Sequence, residues 1–431
     1  MSLESFLDLS DGIDQADLAD TVAEQSGPTR ELVADTEVMP NYSILGAQDV
    51  ATGEQFEIEL PKDGLDAAGA ARLDALLGGG ATSYWFNWSG YDQLIIRAWR
   101  AGFSVAEVYE VSRAVFDSGK RSYAIARDFN LPNLPYQTID LMLYTLRGGL
   151  KKHAARMGRD VLELPVDPTV AIDAAGIEPL KRYLFEGDLP ATRALLDELR
   201  GEIDVRQTLE RVTGVGGLMG KTAASAAEAV VIGLYCNATG VEPRSIRDSA
   251  AANRDLPFRF ELQPWLRQAI AGTRAQTLGE RMHGTTIDPS GGKFKARGDW
   301  PGEIAIDPHT GLAVTIGFGG LHSCDSAGDF AASIGIAVAS MYPSLLLRPG
   351  GAPTHLNEAE FHSVYRGLVE RRLAAKRAGN KLESTALKLV LNSVYGQLGQ
   401  LFSALYSPRA QLRCTASGQL LLVALCDRLR G

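Results

Sequence analysis

The stretch "ALKLVLNSVYGQLG" (Ala386–Gly399) decides how this chain is read. It lies in a helix predicted over about Leu382 to Leu398. Lys388 and Asn392 are four residues apart, so they stand one above the other on a helix face. Tyr395 and Gly396 follow. A helix predicted over about Asn357 to Ala378 precedes it, across the link "AGNK". Its segment "VERRLAAKRAG" sets Arg372 and Lys376 at the same spacing. Each piece alone is what an amphipathic helix shows.

Working outward, "IGIAVASMYPSLLL" (Ile334–Leu347) reads as a strand running into a turn, and it carries no acid. The basic residues gather here. From Arg366 to Arg413 there are nine Lys and Arg against two acids, although the whole chain has a net charge of −9. Binding to phosphate depends on such local distribution more than on the sum. The 431 residues, 45% apolar and 22% charged, fit a globular protein of two or three domains. The first 27 residues hold seven acids and no Lys or Arg, unlike a secretory signal. Cys236, Cys324, Cys414 and Cys426 are dispersed, with no CxxC pair. Together these predict a protein of a reducing cytoplasm.

The N-terminal half carries the carboxylates. Residues 1 to about 30 read as an acidic flexible arm. The run from Glu31 to Leu60 then predicts two strands with turns at "MPN" and "ATGE". In "ADTEV", Asp35 and Glu37 alternate along a strand and so face one side, where two carboxylates can share a hard cation. "FNWSGYD" places Asp92 at a helix start, with Asn87 in the turn before it. "RYLFEGDLPATRALLDEL" places Asp188 on a helix, with Tyr183 five residues earlier. Trp85, Phe86, Trp88 and Tyr91 near the second acid can stack on unpaired bases or fill the core, and Phe86 is read as core. "QTIDLMLYTLRGGLKKHAARMG" is read as largely helical. "GVGGLMGKT" lacks the first glycine of a phosphate loop and is read as a turn opening a helix. His322 is read as a packed or surface histidine.

Lys388, Asn392, Ser393, Tyr395 and Gly396 match K-x-x-x-N-S-x-Y-G, and the chain resembles family B DNA polymerases of the phage type over about residues 30–431. The resemblance implies that Arg372, Lys376, Lys388 and Asn392 face the phosphates of a dNTP. It implies that Tyr342 packs on the incoming sugar, and it places Tyr395 in the nucleotide site. The three carboxylate motifs are similar to those of the proofreading 3′–5′ exonuclease in that family. This implies that Asp35, Glu37, Asp92 and Asp188 hold two divalent ions, Mg2+ or Mn2+, and that Tyr183 orients the attacking water. Family spacing puts the tyrosine four residues before the last acid, and that position is Leu184 here. The resemblance also implies that Asn87, Gly319 and Gly320 approach DNA, although the two glycines equally suit a turn. The polymerase strand of the family reads D-x-x-S-x-Y-P-S, and Ala337 stands where its Asp belongs. The chain stops at Gly431, before the hairpin that carries the second polymerase acid.

The expectation is an α/β chain with an acidic arm (1–30) and a ribonuclease H-like 3′–5′ exonuclease domain (31–210). A mixed α/β connecting region (211–325) and a partial polymerase palm with helical fingers (326–431) complete it. Its expected function is metal-dependent 3′–5′ hydrolysis of single-stranded or frayed DNA ends, without polymerisation. Two alternatives stay open. The chain is one part of a polymerase, split, truncated or engineered at Ala337, whose palm a second polypeptide completes. Otherwise it is a non-catalytic regulator that binds DNA or dNTP.

Overall fold

Strand β1 (Arg30–Met39) is apolar on both sides of its acids, with Leu32, Val33, Ala34 and Met39 almost wholly buried. Such a strand belongs in the middle of a sheet. In the computed structural model it lies there, with β2 (Tyr42–Asp49) and β3 (Gln55–Glu59) on one side. On the other side are β4 (Ala81–Trp85) and β5 (Gln137–Asp140). The structure describes residues 30–145, 148–252, 254, 256–290, 293–298, 300, 302–307, 312–321, 338 and 340–430. The acidic arm, His322 and Ala337 lie outside them.

The sheet order is β3-β2-β1-β4-β5. β2 is antiparallel to β1 and to β3, while β1, β4 and β5 run parallel. The architecture is therefore mixed α/β with a mixed sheet. The run after Glu31 makes three strands rather than two, because each of its two turns reverses the chain. The start of "QTIDLMLY" is strand β5 rather than helix. Thr138 and Ile139 are β-branched, and pairing with β4 outweighs the apolar spacing that suggested a helix.

The described chain divides into two compact units, which meet in sequence at Asp204 and Val205. In the first, α1 (Ala67–Leu77), α2 (Asp92–Arg100), α3 (Val105–Asp117) and α4 (Ser122–Asp128) precede β5. After it come α5 (Leu150–Arg156) and α6 (Ala174–Arg182). A π-helical turn (Tyr183–Asp188) joins α6 to α7 (Leu189–Thr213). The core gathers Leu32, Leu45, Trp85, Leu94, Ile95 and Trp99. A capping box at Ser104 and Glu107 starts α3.

The second unit is mostly helical. It contains α8 (Ala223–Thr239), α9 (Pro243–Ala252), α10 (Pro264–Ala269) and α11 (Arg274–Met282). Short strands β6 (Phe258–Arg259), β7 (Thr286–Asp288) and β8 (Lys295–Arg297) form one ladder. β9 (Glu303–Asp307) pairs with β10 (Leu312–Thr315). α12 (Met341–Leu346) follows, and then come the two long helices α13 (Glu358–Arg377) and α14 (Lys381–Leu398). α15 (Pro408–Arg430) completes the unit. Thr222 caps α8, so "GVGGLMGKT" does open a helix. Met341–Leu346 is helical where a turn was expected. The last helix begins at Pro408, with a proline in its first turn. One core joins residues from 205 to 424, including Phe260, Phe361, Tyr365, Val390 and Leu420. Among the described residues, no single helix is long and apolar enough to cross a membrane.

Candidate active site

Asp35 and Glu37 project from the same face of β1, as strand alternation requires. Across the sheet Asp35 is paired with Gly46 on β2. A methyl group at Gly46 would sit 2.8 Å from Leu184 Cδ2 and 3.2 Å from Leu189 Cδ1. Glycine at 46 thus leaves the hollow into which Leu184 packs. That contact lays the turn between α6 and α7 onto the sheet beside Asp35. Lys181, near the end of α6, bonds both Glu57 and Glu59 on β3, at 3.2 and 2.6 Å. The helix is held at two points, and Asp188 ends the turn that follows.

Carboxylate oxygens of Asp35, Glu37 and Asp188 lie within 4.8 Å of one another, and all three residues are half-buried. Burial, together with mutual repulsion, lifts their proton affinities. Asp35 is raised well above the usual carboxylate range by desolvation and by Asp92, Asp188 and Glu37. Glu37 is pushed up to about 8 by desolvation and by Asp188 and Asp92, and Lys151 works against this. Asp188 is raised by desolvation and held back by a hydrogen bond from Tyr183 and the charge of Lys151. Closely set carboxylates that resist ionisation together accept a hard divalent cation in place of protons. The all-oxygen donor set fits such an ion, and the triad could hold one.

Asp92 is not in that triad. It begins α2, is almost wholly buried, and accepts a 2.6 Å hydrogen bond from Thr36 Oγ1. Desolvation pushes it up to about 7, against hydrogen bonds from Thr36 and backbone. Its charge still reaches Asp35 and Glu37. The four acids are therefore neighbours, with three converging and one braced behind β1.

The tyrosine spacing has a structural resolution. In an α-helix, residues five apart lie about 140° apart on the helix surface, which would turn Tyr183 away from Asp188. Tyr183–Asp188 instead winds as a π turn, whose i to i+5 pairing absorbs one extra residue. The Tyr183 hydroxyl consequently donates to the Asp188 carboxylate.

Two further residues belong here and carry no motif. Lys151 opens α5 with its ammonium 5.3 Å from the Tyr183 ring and 2.7 Å from Glu163. In sequence it is one of two adjacent lysines after a glycine pair. Asp140 ends β5 and accepts from the backbone N–H of Asn87 at 3.0 Å and of Ser89 at 2.9 Å. That carboxylate fixes the turn in which Asn87 adopts φ +69°. The turn is tight, since a Cβ on Gly90 would meet Asn87 Oδ1 at 2.2 Å. Of the four aromatics, Trp85 and Trp88 are core and pack together at 4.6 Å. Phe86, expected in the core, is half-buried and lies 6.0 Å from the His153 ring. β4 ends at Trp85 and the chain turns there, so strand alternation no longer carries Phe86 inward. Tyr91 is half-buried, its hydroxyl on Ser112 at 2.8 Å.

In the second unit, Tyr342 and Tyr395 stack face to face at 4.0 Å, and Tyr395 bonds Thr415 Oγ1 at 2.7 Å. Arg372 reaches Ser340 Oγ at 3.4 Å and leaves its buried Nε unpaired. Lys376, Lys388 and Asn392 are exposed along α13 and α14. Gly319 and Gly320 are exposed, and the carbonyl of Gly319 accepts from Gln419. A side chain at Gly319 would meet open space, so its position imposes no steric need for glycine.

No protein-family model matches the chain, and no curated protein matches it significantly.

Proposed function

We propose that the first unit is a metal-dependent 3′–5′ exonuclease acting on single-stranded or frayed DNA. The observation that carries this reading is the convergence of Asp35, Glu37 and Asp188 within 4.8 Å, beside a tyrosine bonded to one of them. The strand order β3-β2-β1-β4-β5, with β2 alone reversed, supports a ribonuclease H-like scaffold. Two divalent ions, Mg2+ or Mn2+, would be shared among Asp35, Glu37, Asp188 and the adjoining Asp92. Ions held there would lower the pKa of an attacking water and neutralise charge on the leaving oxygen. Tyr183 orients the water from its place on Asp188. Lys151 offsets the negative charge of the cluster. Asn87 and the partly open Phe86 face the terminal nucleotides. The test is incubation with 5′-labelled single-stranded DNA and Mg2+ or Mn2+, where a ladder shortening from the 3′ end is expected. Full-length DNA with both metals would contradict the reading.

A second reading concerns the other unit. Lys376 and Lys388 make no ion pair among the described residues, and Arg372, bonded to Ser340 two residues before Tyr342, keeps a buried Nε unpaired. These groups fit weak dNTP binding. Ala337 offers no metal ligand, so primer extension is not expected from this chain.

A further inference from the structure

On the first unit, an open cleft of about 450 Å³ is lined by Ser89, Gly90, Gln93, Lys120, Arg121 and Tyr123, among others. Its wall includes the turn before Asp92. The turn that leads to Asp92 supplies Ser89 and Gly90, and Gln93 is the next residue of α2. The link between α3 and α4 forms the other wall. Ser122 Oγ ties it to the Ser89 carbonyl at 2.8 Å, and Gln93 Nε2 bonds the same carbonyl. The cleft is therefore braced on the same turn that places Asp92.

Its chemistry is cationic and aromatic. Lys120 is exposed and pairs with Asp128 at 2.8 Å. Arg121 is exposed, and its guanidinium has no partner among the described residues. Tyr123 is 69% exposed. At the end of α3, Phe116 is 73% exposed and rests one side on Tyr91, the residue before Asp92. Two open rings flank two cations within eight residues, "FDSGKRSY". A nearby cluster of acids repels phosphate, so a strand that enters it needs an anchor outside it.

We propose that this cleft holds a single-stranded DNA segment a few nucleotides behind the 3′ end. A phosphate sits on Arg121, with Lys120 beside it, and a base stacks on Tyr123. Stacking on an aromatic ring with a cationic track is how unpaired strands are held without sequence preference. The proposal rests on the exonuclease reading for the direction of the strand, but its binding test does not.

The full chain and its Arg121→Glu and Tyr123→Ala variants are compared by fluorescence anisotropy in EDTA, so that nothing is cleaved. The probes are oligothymidylates of about four and about sixteen nucleotides. Each variant is expected to bind the longer probe about tenfold more weakly. Arg121→Glu should also shallow the salt dependence by at least about 0.7 in log–log slope. The four-nucleotide probe cannot span the cleft and the surface beyond it at once, so its loss in the variants should be smaller. Equal affinity of parent and variants for the longer probe overturns the proposal and identifies an ordinary charged surface. Equal loss on both probes also overturns it, since that means general charge attraction. Cleavage is assayed separately with metal. A parent that cleaves nothing, while the variants lose the longer probe, fails the exonuclease reading and leaves the cleft assignment standing.

Discussion

Asp35, Glu37, Asp92 and Asp188 hold their protons more tightly in the folded chain than in the unfolded one. Unfolding therefore releases protons wherever the pH lies between the ordinary carboxylate range and about 8. Stability of the metal-free protein should fall as pH rises through that window. Groups shifted the other way, such as Asp49 and Glu59, lose their contribution only at lower pH, below this range. Thermal melting at about pH 5.5 and about pH 8.5 measures the effect, which should be on the order of 1–3 kcal/mol. Mn2+ should raise the melting temperature more at the higher pH, where it replaces protons that have left. A metal-free protein equally stable at both values would contradict the cluster's electrostatics. Tyr183→Phe keeps the ring and removes the donor to Asp188. It should cut the hydrolysis rate roughly tenfold or more while binding of DNA in EDTA is unchanged. Wild-type rates would show that the hydroxyl has no part in the reaction.

At the scale of elements, the site depends on a missing side chain and an extra residue. Gly46 makes the hollow for Leu184, and the π turn brings Tyr183 over Asp188. Gly46→Ala must push Leu184 outward, because the added methyl would lie 2.8 Å away. Overpacking of this kind costs about 1–3 kcal/mol. The displaced turn should weaken Mn2+ binding, read by the metal-dependent rise in melting temperature. The second variant Gly46→Ala/Leu184→Ala vacates the space and should restore that rise in part. No recovery would show that the hollow does not position Asp188. This coupling was not legible in the sequence. "ILGAQD" reads as a strand with one weak position, and the contact spans 138 residues between Gly46 and Leu184. The strand–turn–helix leading to Asp92 was legible, since "NWSG" is strong turn chemistry. β5 was not, because only pairing with β4 distinguishes it from the apolar run that follows.

For the whole molecule, the chain joins an acidic, sheet-based unit to a helical unit with a basic stretch. The acids of the first were identifiable in the sequence and expected to act together, but that three converge while Asp92 is tied to Thr36 came from folding. Lys151 and Asp140 were invisible beforehand, because a lysine pair and a strand-end acid have many ordinary surface roles. In the second unit, α13 and α14 were placed nearly to the residue by periodicity and by the "AGNK" break. Lys388→Ala should weaken dNTP binding about tenfold in calorimetry and leave DNA affinity near the parent value. A matching fall in DNA affinity and salt dependence would show that the helices hold a DNA backbone instead. With a primed template and all four dNTPs, no primer extension is expected, and dNTP-dependent extension would contradict the reading of Ala337.

The most direct measurement compares the parent with Asp35→Ala/Glu37→Ala on 5′-labelled single-stranded DNA in Mn2+. The double variant removes two of the three converging carboxylates and leaves the aromatic and basic surfaces intact. The account predicts stepwise shortening from the 3′ end by the parent, and a rate at least about a thousandfold lower in the variant. Equal degradation by both proteins would contradict it.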